Sequence, residues 1–203
     1  MLKFIRLRGL IGVFSIISMF MVGCFNSYTP VPREKAYFRV DLPKHEYVRY
    51  DSDCPFTFEY PRYAMLNRDS VYFNQAQFNP CWFNLEIESF KATIHITYNS
   101  INQAEDIDRY LNDSHDLSWK HTVKASFIKE EMLEDVSKSL YGRIYHIGGN
   151  AASPYQFYLT DSAKHFLRAS LYFASKPNID SMGLVVDHVV KDTEHLINTF
   201  SWK

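Results

Sequence analysis

Apolar and polar positions alternate with a period of two in short runs along most of this chain, the signature of half-buried strands. The clearest run is Ala92–Tyr98, where Ala92, Ile94, Ile96 and Tyr98 alternate with Thr93, His95 and Thr97. Trp82–Ile87 sets Phe83, Leu85 and Ile87 against Trp82, Asn84 and Glu86. Phe56-Thr57-Phe58-Glu59-Tyr60 alternates and stops at Pro61. Phe127–Leu133, Leu140–Ile147, Gln156–Thr160 and Phe166–Phe173 complete the series, the last two around an Asp161-Ser162 turn. Tyr37–Leu42 reads as a first edge strand, and Glu46–Tyr50 is ambiguous. Asn67–Gln77 is polar apart from a few residues such as Tyr72 and Phe73, and reads as a loop or short hairpin.

The period changes twice. Ile107, Tyr110, Leu111, Ser114 and Leu117 follow helical spacing, with Asn102 as cap and Glu105 three residues on. This helix is expected to extend as far as Ala125, bent near Asp116. A second helix spans about Ser181 to Thr199, with Val186, Val189, Val190, Thr193, Leu196, Ile197 and Phe200 on one face. Strands, a helix, more strands and a terminal helix predict an α+β fold: one domain with a largely antiparallel sheet flanked by helices.

The amino terminus has a different pattern. Lys3, Arg6 and Arg8 precede a mostly apolar run from Leu10 to Val22, and Met21-Val22-Gly23-Cys24 follows as a lipobox. A basic segment, an apolar segment and a small residue at the cut are the parts of an export signal. Cysteine after the cut makes it a lipoprotein signal, so residues 1–23 are expected to be removed and Cys24 acylated. An uncleaved anchor is the alternative, at the short limit for spanning. Residues 24–36, with Pro30 and Pro32, read as a tether, and 37–203 as the single domain. The covalent lipid on Cys24 attaches the chain to a membrane, and no other cofactor is expected.

Composition narrows the function. Removing Lys3, Arg6 and Arg8 from the 22 basic residues leaves 19 against 23 acidic, a formal charge of −4 for the exported part. That argues against nucleic acid as a partner. Besides Cys24, the chain has Cys54 and Cys81. In an oxidising compartment such a pair is expected to bond, two buried free thiols being the alternative. Neither belongs to a CxxC or paired-His pattern, and no metal is expected.

The candidate chemistry is sparse. His188, Asp192 and His195 share one face of the second helix, at a spacing that could hold a metal; because the apolar side lies opposite, the stripe is expected to be solvated. Ser153, Asp161 and His165 have the residue types of a triad but lack a GxSxG elbow, so no catalytic residue is assigned. Glu130, Glu131, Glu134 and Asp135 cluster near a turn, as solvated carboxylates do. Gly148-Gly149-Asn150 marks a turn. Ala151, Ala152 and Ser153 extend it, and the whole stretch Gly148–Ser153 is a candidate for partner contact as an exposed loop on a rigid sheet.

The chain resembles the gliding-motility lipoprotein GldD family of Bacteroidota over nearly all of its exported part. The likeness lies in Tyr50-Asp51-Ser52-Asp53-Cys54-Pro55-Phe56, Phe58-Glu59-Tyr60, Cys81-Trp82-Phe83-Asn84 and Lys91-Ala92-Thr93-Ile94. It continues in His121-Thr122-Val123-Lys124-Ala125, Gly148-Gly149-Asn150-Ala151-Ala152-Ser153, His165-Phe166-Leu167 and Ser170-Leu171-Tyr172-Phe173. Asn67–Asn79 is longer than the family pattern. The resemblance implies a non-enzymatic envelope lipoprotein tied to gliding and type IX secretion, with protein partners and no small-molecule substrate. A structural or glycan-binding envelope lipoprotein is the alternative, and a hydrolase ranks last. Tyr60-Pro61 and Thr199-Phe200-Ser201-Trp202 also occupy the places expected in a Mog1/PsbP-like α-β-α sandwich. Phe25-Asn26-Ser27-Tyr28 carries no acidic residue, so a periplasm-facing location is expected, in the outer more than the inner membrane.

Overall fold

The described residues form ten strands in two antiparallel sheets, and the alternating runs account for seven of them, β2 and β4 to β9. The computed structural model of the chain describes residues 39–68, 79–174 and 179–203. The export signal, Cys24, the tether and most of the Asn67–Gln77 stretch lie outside the described residues. The smaller sheet has the order β1-β2-β10, from β1 (Tyr47–Asp51), β2 (Phe56–Pro61) and β10 (Ser201–Trp202). The larger has seven strands: β3 (Met65–Asn67), β4 (Phe83–Ile87), β5 (Ala92–Ser100), β6 (Ala125–Asp135), β7 (Leu140–Gly149), β8 (Tyr155–Thr160) and β9 (His165–Phe173). Their order is β3-β4-β5-β9-β8-β7-β6. Helix α1 is Ala104–Trp119, and α2 is Ile179–Thr199.

Register turns the alternation into two unlike faces. Leu85, Ile94, Leu171 and Tyr155 stand opposite one another across β4, β5, β9 and β8. They belong to the main core, which also takes in Phe56 and Phe58 of the small sheet and Val185, Val189, Leu196 and Ile197 of α2. Because successive side chains point to opposite faces, the next row aligns Asn84, His95, Ser170, Gln156, Tyr145 and Glu130 across six strands. Helix α1 lies on this polar face, over a second cluster of Tyr145, Ile147, Ala151, Tyr158 and Phe166. The result is an α+β sandwich.

Three glycines are placed by close approach. A Cβ on Gly142 would sit 2.2 Å from the carbonyl oxygen of Tyr158 on the neighbouring strand. One on Gly148 would meet the Phe127 ring at 2.1 Å, and Gly149 has φ +86. Only a residue without a side chain lets the Phe127 ring cross here. Cys54, in the β1–β2 connection, is bonded to Cys81 just before β4, with Cα atoms 5.7 Å apart. The bridge sits beside the rings of Tyr50, Phe58 and Phe83, which stack at 4.8 and 4.9 Å on Tyr50.

Several expectations are corrected. Residues 39–42 form no strand, and the ambiguous stretch forms β1 instead. Strand β6 runs on through Glu134 and Asp135, so the acidic cluster lies on a strand, with Glu130 paired to Arg143 at 2.6 Å. The first helix is capped by Gln103, with Asp106 as its capping-box partner, one residue later than Asn102 and Glu105. It ends at Trp119 and passes through a 3₁₀ turn, Lys120–Val123, because Ala125 is already paired with Gly149 in the sheet.

Candidate functional site

The Gly148–Ser153 stretch is exposed only at Asn150, with Gly148, Gly149 and Ala152 half-buried. Gly148 and Gly149 are the end of β7, while Ala151 and Ser153 are 7% and 0% exposed. Packing beneath α1 draws them in. Ser153 Oγ accepts from Gln156 Nε2 at 3.0 Å. Asp161 accepts the backbone N–H groups of Ala163, Lys164 and His165 and so closes the β8–β9 turn. His165 Nδ1 lies 2.7 Å from the Tyr98 hydroxyl, and its ring stacks on Trp202. Asp161 thus bonds to His165 only through the histidine's backbone, and no hydrogen bond joins Ser153 to either of them.

The His188, Asp192 and His195 stripe is also corrected: most of it is buried. His188 and Asp192 are 8% and 0% exposed. The apolar side of α2 does face the main core, but His45 before β1, Tyr47 in β1 and Tyr63 just after β2 close over the polar side. His45 Nδ1 lies 2.6 Å from Asp192 Oδ1, and the Tyr47 hydroxyl donates to the same oxygen at 2.9 Å. The Tyr63 hydroxyl donates to Oδ2. His45 stacks on His188 at 4.2 Å, and Tyr47 stacks on His195 at 3.6 Å. His195 Nε2 reaches Glu59 Oε2 at 2.7 Å. Burial, then the bond to Asp192, pushes the Tyr47 hydroxyl up to about 12, and the same causes raise Tyr63. Both tyrosines therefore stay protonated and keep donating. Burial, then the neighbouring His45, holds the His188 imidazole below its ordinary range.

One ring nitrogen each of His45 and His188 and an Asp192 oxygen lie within 4.8 Å of one another. Two imidazoles and a carboxylate are a donor set known for zinc and for iron. A dication here would have to replace the hydrogen bonds that Asp192 already accepts, so the cluster reads first as a buried network holding α2 to the small sheet. His45, Tyr47 and Tyr63 had no signal in the sequence; they lie 129 to 147 residues from Asp192.

A cavity of about 570 Å³ opens between α1 and the polar face of the large sheet. Its floor is the polar row, with Asn84, His95 and Ser170, and beside it Arg168. Arg168 Nη2 donates to Gln156 Oε1 at 2.5 Å, and Ser118 Oγ is 3.1 Å from the same oxygen. The chain of contacts Arg168–Gln156–Ser153 accounts for the buried serine. His95 Nδ1 lies 2.8 Å from Asn84 Oδ1. Burial lowers the affinity of both His95 and His121 for a proton.

The edge of the large sheet beyond β6 is uncovered among the described residues. Its side chains include Phe127 and Met132, 59% and 74% exposed, and the flanking turns add Val123 and Val136, 85% and 69% exposed. A long strand with an unpaired edge and apolar side chains is a template for another chain. The sequence placed contact at Gly148–Ser153; the structure places the exposed apolar surface on the strand paired with it.

No described helix is long and apolar enough to cross a membrane. A family model described as gliding motility lipoprotein GldD matches residues 27–202. No curated protein matches the chain.

Proposed function

This chain belongs to the gliding motility lipoprotein GldD family, and from that premise we propose that it is a non-enzymatic accessory of the gliding and type IX secretion machinery. Family membership makes it a lipoprotein associated with the cell envelope. In this reading acyl chains on Cys24 hold it to the membrane, facing the periplasm, and it acts by protein contact. The supporting observation is the uncovered β6 edge with Phe127 and Met132 exposed. The separation of Ser153, held by Gln156, from Asp161 and His165 in the β8–β9 turn agrees with a role without catalysis.

The occupant of the edge is an extended segment of an envelope protein, added as a further strand. Main-chain hydrogen bonds would supply affinity and alternate side chains specificity. Strand β6 carries Lys129 against Glu130, Glu131, Glu134 and Asp135, so a basic segment is the complementary partner. Tethering to a membrane raises the effective concentration of such a module, and a modest interface then suffices.

The test is co-purification from detergent-solubilised envelopes. Met132→Pro together with Phe127→Asp should abolish capture of the envelope proteins that the unaltered chain retains, and should impair motility. Leu184→Lys, at an exposed position on α2, should do neither. Equal capture by all three chains overturns the reading, and bound glycan in place of protein favours the alternative one. A separate measurement addresses the anchor. Cys24→Ala should remove the acyl mass and release the protein from the membrane fraction, and unchanged mass and partition would refute acylation at Cys24.

A further inference from the structure

We propose that the cavity beneath α1 binds a small organic anion, whose carboxylate or phosphate group takes the N–H groups of Arg168 that Gln156 leaves unused. The inference goes beyond the docking role and is independent of the β6 edge.

Three observations meet in this one place. The first is an uncompensated cation. Guanidinium stays charged in proteins and offers five donors, and a charge taken out of water needs a partner. Arg168 stands mid-strand on β9 beneath α1, half-buried, yet among the described residues no carboxylate pairs with it. Its neighbour Arg143 does have one, Glu130. Asp113, the carboxylate lining the cavity, is on the exposed side of α1 and forms no ion pair with Arg168.

The second observation is a pair of orphaned hydroxyls. Ser114 on α1 and Ser170 on β9 are each 2% exposed, line the cavity, and have no hydrogen-bond partner at Oγ. Buried hydroxyls without partners are rare and costly. The two residues lie on opposite walls of the cavity, α1 and β9, and a small rotation of either hydroxyl toward a ligand oxygen would give it the partner it lacks.

The third is space with suitable walls. A volume of about 570 Å³ falls within the usual range for small-molecule sites. Tyr110 and Tyr172 give it aromatic sides. A planar carboxylate or a phosphate matches the guanidinium fork in a bidentate way, and an apolar body would lie against the rings.

The test uses the full processed chain in detergent, with benzoate and phenyl phosphate as probes and benzamide as the uncharged control. Calorimetry should show saturable binding of at least one anion, at least about tenfold tighter than benzamide, the increment that one charge-assisted pair of about 1.4 kcal/mol provides. The tighter of the two anions identifies the group. Arg168→Met should abolish the difference between anion and control, while Arg143→Met should retain it. Without a probe, the Arg168→Met chain should melt no lower than the unaltered one, because an uncompensated charge has gone. If that variant fails to fold, Ser170→Ala keeps the question open to experiment, and it should weaken the anion by about threefold, the loss of one neutral hydrogen bond. Equal binding of anions and benzamide, or anion binding that is unchanged in both Arg168→Met and Ser170→Ala, overturns the proposal.

Discussion

Asp192→Ala is expected to cost the fold about 3–5 kcal/mol, the loss seen when one member of a buried charged network is removed. Asp192 is fully buried, and its two oxygens accept from Tyr47 and Tyr63 and contact His45. Alanine leaves the half-buried hydroxyls of Tyr47 and Tyr63 and the His45 imidazole without their shared acceptor, and each orphan carries part of its desolvation cost. In a domain of this size such a loss lowers Tm by roughly 6–20 °C. Asp187, exposed on the same helix, is the control: Asp187→Ala should stay within about 0.5 kcal/mol of the unaltered chain. A melting curve for Asp192→Ala that overlays the control would remove the network from the account. The same cluster should make the fold sensitive to acid. His188 resists protonation when folded, so the unfolded chain binds more protons in acid. Its stabilising contribution is complete above the ordinary histidine value of 6.5 and declines as pH falls below it. His95 and His121 act in the same direction.

The second large effect is expected at the disulfide. The bridge closes a loop between residues separated by 27 positions. On the chain-entropy model that constraint is worth about 3–4 kcal/mol. Cys54→Ala with Cys81→Ala should therefore lower the urea midpoint and also raise the slope, because an unconstrained denatured chain exposes more surface. The paired substitution avoids a lone buried thiol beside Tyr50, whose hydroxyl lies 3.3 Å from Cys54 Sγ. Coincident unfolding curves for the bonded and substituted chains would show that the bridge adds nothing to stability.

Much of the fold was legible because strand alternation is a local signal. Ala92–Tyr98 predicts β5 from its own seven residues, and the Asp161-Ser162 turn is written in a side chain that caps three following N–H groups. Boundaries were less legible. Asn102 and Gln103 are adjacent polar residues, as are Glu105 and Asp106, and either pairing makes a capping box; the chain uses the second. The loop Gly148–Ser153 reads as exposed because small and polar residues usually are, but Ser153 is claimed by Gln156 from the floor beneath α1.

The polar groups divide the two levels most sharply. From sequence alone come β2 and β4 to β9, the two helices, the α+β class and the cysteine pair, since each depends on residues close together or on composition. The tertiary structure decided which polar residues leave water. His188 and Asp192 sit on a helix face that looks solvated until His45, Tyr47 and Tyr63, far away in the chain, cover it. Asn84, His95, Ser170 and Gln156 are polar members of four separate alternations, and only strand register aligns them into one floor. The physical reason is that periodicity reports what a segment can bury, whereas the fate of a polar side chain depends on which distant surface closes over it.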